Sequence, residues 1–332
     1  MRLLKYLLGI VALLTILYLL GPRPATPVYD AHLPAVPAPA DSLTAFIAAG
    51  EAVHHIKPDN EARIVWANDS VHRKTPYAIV YLHGFSASQE EGNPVHRNIA
   101  RAFGCNLYLA RLAEHGIDTS DALVNMTADN LWESAKQAYA IGKQLGEKVI
   151  LMGTSTGGTL ALQLAAAYPD VAGLVLLSPN IAINDPNAWI TNNPWGLQIA
   201  RLVKGSKLNM IPNRSDEYKK YWNDTYRLEA VTQLEELLES AMIPATFKKI
   251  KQPVLTLYYY KDEAQQDPVV KVSAMKAMFA GLSTSDSLKK MVPIPNAGNH
   301  VLGSPIQSKD IVSVENAISQ YLQQVMHLNR RL

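Results

Sequence analysis

"KVILMGTSTGG", residues Lys148 to Gly158, passes from an apolar run straight into small and hydroxyl-bearing residues. Val149 to Met152 reads as a buried strand, and "TLALQLAAAY" from Thr159 to Tyr168 reads as a helix stopped by Pro169. Between them stands Ser155, with Gly153 and Gly157 on either side. A sharp strand-to-helix turn needs glycines there because side chains would collide with neighbouring backbone. The turn lifts a serine hydroxyl above the sheet edge, over a helix N-terminus that favours developing negative charge. The pattern G-x-S-x-G alone is weak because glycine and serine are common residues. Its strand–turn–helix setting is what marks Ser155 as a nucleophile rather than a structural turn serine.

Around this turn, short apolar runs alternate with amphipathic stretches. The runs are "RIVWA" (63–67), "AIVYLHG" (78–84), "NLYLAR" (106–111), "KVILMG" (148–153), "GLVLLSP" (173–179), "PVLTLYYY" (253–260) and "KKMVPIP" (289–295). Several are continuously apolar, as strands buried on both faces are. Helical stretches run over Asp129 to Leu145, Thr159 to Tyr168 and Val270 to Ala280. The repetition predicts an α/β fold with a mostly parallel sheet flanked by helices. One segment breaks the rhythm. From Pro179 to Pro253 no strand is evident, and aromatics such as Trp189, Trp195, Tyr218 and Trp222 accompany an amphipathic "RLEAVTQLEELLESA". Residues about 180–252 are read as a helical cap over the carboxyl edge of the sheet, where ligands bind.

The 332 residues carry a formal net charge of +2 and no long basic run, so nucleic acid is not expected as a partner. Cys105 is the single cysteine, and His54-His55 lacks convincing partners, so neither a disulfide framework nor a metal site is expected. The N-terminus stands apart. "MRLLKYLLGIVALLTILYLL" places Arg2 and Lys5 before an uncharged run. The expectation is a membrane anchor over residues 1–21, with a cleaved signal segment as the alternative, disfavoured because "GPRPATP" is a poor cleavage site. The positive residues would stay cytoplasmic and place the rest on the extracytoplasmic side. Residues 22–40, rich in proline and alanine, suit an extended tether or a loop wrapped over the domain, leaving 41–332 as the globular domain. Its first helix follows a possible Asp41 or Ser42 cap.

A serine hydroxyl needs a base, and the strand–turn–helix setting predicts the chain order Ser, then Asp or Glu, then His. Of nine histidines only His300 and His327 follow Ser155. His327 lies near the end of a terminal helix, whereas His300 sits in the turn "NAGNH" after a strand. The acid should follow "PVLTLYYY", in "KDEAQQDPVV", which offers Asp262, Glu263 and Asp267. Asp267 followed by Pro-Val-Val is favoured as a turn entering a helix, with 261–266 as a local insertion; Asp262 remains open. Acyl transfer also needs donors for an oxyanion. The backbone N–H groups of Thr156 and Phe85 are best placed, while His83 and Gly84 shape the loop of "HGFSAS".

Together "HGFSAS", "ARLAEHGID", "GTSTGG", "LLSP", "DPVV" and "NAGNH" resemble the α/β-hydrolase superfamily, in its carboxylesterase, monoacylglycerol-lipase and serine-aminopeptidase-like branch. The resemblance runs from about Tyr77 to Leu322. It implies hydrolysis of carboxylic esters, small or lipid-like, through a covalent acyl-serine and with no cofactor. An acyltransferase using the same acyl-serine, or an inactive binding module, are the alternatives. Where that branch commonly has Gly-His-Gly, this chain has Glu114-His115-Gly116, which puts the local turn in question. The aromatic and apolar cap points to acyl groups of moderate length.

Overall fold

The computed structural model describes residues 2–331; Met1 of the expected anchor and Leu332 of the expected domain lie outside the described residues. The strands are β1 (Arg63–Val65), β2 (Thr75–Leu82), β3 (Asn106–Leu109), β4 (Gly146–Thr154), β5 (Gly173–Leu177), β6 (Leu208–Met210), β7 (Thr225–Arg227), β8 (Val254–Tyr258) and β9 (Lys289–Pro293). The helices are α1 (Arg2–Leu19), α2 (Ala40–Ala52), α3 (Val95–Phe103), α4 (Ala128–Leu145), α5 (Thr156–Ala167), α6 (Gly196–Lys204), α7 (Asp216–Tyr221), α8 (Leu228–Ala241), α9 (Pro244–Phe247), α10 (Val272–Gly281) and α11 (Ile311–Gln324). Seven strands form one sheet in the order β1-β3-β2-β4-β5-β8-β9. β1 runs antiparallel to β3, and every other neighbouring pair is parallel.

The continuously apolar runs are explained by burial on both faces. Along β2, Ala78, Val80 and Leu82 enter one core cluster while Ile79 and Tyr81 enter the other. The first cluster is closed by α4, α5 and α10 through residues such as Trp132, Leu160 and Met275. The second is closed by α3 and α11 through Ile99, Phe103, Ile318 and Leu322. Side chains alternate across a strand, so a strand with helices on both sides must be apolar at every position.

The cap differs from its sequence reading in one respect. Between β5 and β8 the chain forms α6 to α9, but also a small antiparallel pair of β6 and β7. Three-residue strands carry too little periodicity to stand out among helices. The α2 start also differs: its N-cap is Pro39, whose side chain makes no capping bond, and Asp41 lies inside the first turn.

The membrane anchor expected over residues 1–21 is corrected by the structure, and with it the expected membrane location. Among the described residues no helix is long and apolar enough to cross a membrane. The reason is length. α1 has 18 residues, or roughly 27 Å at ~1.5 Å per residue. Lys5 shortens its uncharged part to Tyr6–Leu19, roughly 21 Å against a hydrocarbon core of ~30 Å. The α1 end is instead tied to the cap, where Trp195 donates from its indole to the Leu17 carbonyl at 3.0 Å and from its backbone to that of Pro22 at 2.9 Å. Residues 22–38 hold no helix or strand and lie along the domain. There the Asp30 carbonyl accepts from the Trp132 indole, and the Ala31 carbonyl from the Tyr168 hydroxyl.

Candidate active site

β4 ends at Thr154 and α5 begins at Thr156, leaving Ser155 alone on the turn. Its φ of 52° and ψ of −118° form a strained backbone that side-chain-bearing residues seldom adopt. The turn is held from below and beside. Ser155 donates its N–H to the Leu177 carbonyl, and its own carbonyl accepts from Gly158, Thr159 and Asn180. Both flanking glycines are demanded by contact. A Cβ on Gly157 would lie 1.9 Å from the Leu82 carbonyl oxygen, and one on Gly153 would lie 2.4 Å from that of Gly157.

His300 follows β9, and its Nδ1 lies 2.7 Å from Asp267 Oδ2. The carboxylate is itself aimed: Asp267 Oδ1 accepts from the N–H groups of Val269 and Val270 at 2.9 and 3.1 Å. That is the work of "DPVV" as it turns toward α10. Asp262 and Glu263 do neither job. Asp262 Oδ1 accepts from Ala264 and Gln265 within its own exposed turn, and Glu263 accepts from the Tyr260 hydroxyl. With Nδ1 committed to Asp267, His300 keeps Nε2 for another partner. Ser155 and His300 line one cavity of about 610 Å³ under the cap.

Electrostatics follow from burial and pairing. Burial of the His300 ring opposes its charge, but the Asp267 carboxylate and, less strongly, Glu91 outweigh this and hold its pKa above the usual 6.5. For Asp267, burial opposes ionisation, and the His300 ring with two backbone donors more than offsets it, so its pKa stays below the usual value. The pair is built to keep a carboxylate beside an imidazole that accepts a proton readily.

The "HGFSAS" loop lies after β2. His83 Nε2 accepts from the Leu112 N–H at 3.0 Å and Nδ1 donates to the Gly84 carbonyl at 2.9 Å. Burial drives its pKa well below 6.5, so it is a neutral strut, in keeping with a loop-shaping role. Phe85 lines the cavity beside Ser155, and Thr156 is the first residue of α5, a position whose N–H has no acceptor within the helix.

Glu91 was not singled out from the sequence. It is 3% exposed, and its Oε2 accepts from the Gly84 N–H at 2.5 Å. A Cβ on Gly84 would meet Glu91 Oε1 at 2.8 Å and Ser155 Cβ at 3.0 Å, so carboxylate and serine flank one glycine. Burial pushes its pKa up to about 7, against the pull of the Gly84 N–H and His300. Its only sequence signal was a carboxylate close behind "HGFSAS", and nothing distinguished it there from the partly exposed Glu90.

A family model described as serine aminopeptidase, S33, matches residues 122–296, just over half of the chain. This chain belongs to that family, within the α/β-hydrolases. The family member is also 27% identical over 225 residues to a thermostable monoacylglycerol lipase of Bacillus sp. (strain H-257), covering 67% of this chain and 82% of that one. Among solved structures it is similar to a metagenome-derived lipolytic enzyme of the LipS and LipT pair. The TM-score there is 0.64 at 17% identity, over 81% of this chain and 99% of the other. The monoacylglycerol lipase of Paleococcus ferrophilus gives a TM-score of 0.58 at 17% identity, over 80% and 98%. These likenesses establish the α/β-hydrolase fold. Glu114, where the resemblance implied a glycine, adopts a φ of 65°, the region a glycine would occupy without strain.

Proposed function

We propose that this chain is a serine hydrolase of carboxylic esters, with Ser155 as nucleophile, His300 as base and Asp267 as the acid that orients it. The observation that carries the reading is the 2.7 Å contact of His300 with Asp267, on a ring sharing one cavity with the strained Ser155. His300 Nε2 takes the hydroxyl proton as Oγ attacks the ester carbonyl. The N–H groups of Phe85 and Thr156 receive the oxyanion, aided by the α5 N-terminus. His300 then protonates the departing alcohol. Water, deprotonated by the same ring, releases the acid and restores Ser155.

The family and the named lipase relative support ester hydrolysis, and the relative's name supports a lipid-like ester. Residues about 180–252 act as the cap, lending the cavity an apolar wall that includes Ile190, Ile199, Val203, Val231 and Leu234. Such a wall suits an acyl chain of moderate length. Labelling by a fluorophosphonate should occur at Ser155 and vanish in Ser155→Ala, together with turnover of p-nitrophenyl butyrate. Turnover that persists in folded Ser155→Ala would remove the reading.

A further inference from the structure

Arg214, between β6 and α7, lies on the cap wall of the same cavity. Its guanidinium lies over the Tyr218 ring, 4.9 Å from the centroid. Tyr218 in turn stacks on Trp222, with centroids 4.9 Å apart and planes at 10°. Both rings are buried in a small cluster with Ala87 and with Val301, the neighbour of His300. The stacked rings therefore give the cation a buried aromatic seat.

This arginine differs from others in the chain. Arg63, Arg111, Arg201 and Arg227 each pair with a carboxylate. Among the described residues Arg214 has no such pair, and its buried Nε has no protein acceptor. Besides His300, the other charged side chains on the cavity wall are Lys204 and Asp185, so the fixed charge there is net positive. A wholly apolar substrate would desolvate the guanidinium without offering it a partner, which is unfavourable. A carboxylate or phosphate matches its fork in a bidentate, charge-assisted contact.

We propose that Arg214 anchors an anion subsite, and that the substrate is a carboxylic ester bearing a second, anionic group. The inference rests on the ester-hydrolase reading above and narrows its substrate class. The anion is a carboxylate on the acyl side or a phosphate on the alcohol side, and two matched pairs of esters separate these sources. The full chain is assayed at pH 8 and low salt on monoethyl adipate against ethyl hexanoate, and on 1-hexanoylglycerol 3-phosphate against 1-hexanoylglycerol.

In one pair the charged ester should exceed its neutral partner in kcat/KM by about tenfold or more, the scale of a charge-assisted contact. That ratio should collapse in Arg214→Gln and be intermediate in Arg214→Lys, which keeps charge but loses the fork. The inference is overturned if neutral esters turn over with no preference for either charged one, or if the preference survives in Arg214→Gln. Ser155 labelled by fluorophosphonate with all four esters left intact overturns the inference alone. No labelling and no turnover removes the hydrolase reading as well.

Discussion

Asp262 and Asp267 share one loop, yet only Asp267 is held by its neighbours so that an oxygen reaches His300. Asp267→Asn should therefore lower kcat by up to ~10⁴-fold, because the amide no longer fixes the ring tautomer or balances its charge. Asp262→Asn, which alters only an exposed turn, should leave kcat within about twofold. Comparable losses in both variants would place the acid elsewhere. His300 also sets the pH profile. Its pKa is raised above 6.5, so the acid limb of kcat/KM should fall above pH 6.5. Glu91 adds to that rise, so Glu91→Gln should shift the acid limb to lower pH while the Gln oxygen can still accept from Gly84. An unmoved limb would show that the Glu91 charge is not felt at the ring.

At the scale of elements, the sheet was legible because a two-faced parallel strand has to be apolar throughout, a demand that Ala78–Leu82 of β2, Val149–Met152 of β4 and all of β5 meet, whereas the edge strands β1 and β9 carry Arg63, Lys289 and Lys290 and are only partly buried. The turn at Ser155 was legible for a similar reason: backbone contact leaves only glycine at 153 and 157. Gly157→Ala tests this, since its Cβ would lie 1.9 Å from the Leu82 carbonyl. Loss of several kcal/mol, read as a lowered Tm or insoluble expression, is expected. Chain order singled out His300 and narrowed the acid to Asp262, Glu263 and Asp267, but the contact of His300 with Asp267 was not legible, because hydrogen-bond reach across 33 residues leaves no mark in composition. Glu91 was hidden for the opposite reason: a carboxylate in a polar loop reads as solvated until packing buries it. Glu114 carries the remaining local test. Its positive φ costs roughly 1 kcal/mol, and glycine's extra unfolded entropy takes back about half of that or more, so Glu114→Gly should raise Tm by about one degree at most. A lowered Tm would mean the side chain contributes more than the strain removes.

For the whole molecule, two sets of buried groups pull stability in opposite directions as pH changes. Burial lowers His96 to about 3 and His115 to about 4, and it drives His83 well below 6.5. These rings stay neutral in the fold but take protons when unfolded, so below 6.5 they favour unfolding as pH falls. Burial raises Glu91 and Glu235 to about 7. Both hold a proton in the fold up to that pH and lose it near 4.5 when unfolded, so they disfavour the fold as pH rises from 4.5 through 7. His300, raised by Asp267, acts in the same direction as these glutamates, from 6.5 through its folded pKa. Asp267, held low, acts only at more acid pH. Between pH 5 and 6 three histidines outweigh two glutamates by about one proton, worth roughly 1.4 kcal/mol per pH unit. Above about pH 7 the opposing set dominates. Calorimetric Tm should therefore climb from pH 5, peak near neutrality and decline gently to pH 8. In Glu91→Gln one raised carboxyl is gone, so the climb should steepen and the decline should flatten. A Tm that falls steadily from pH 5 upward would contradict the neutral state assigned to the three buried histidines.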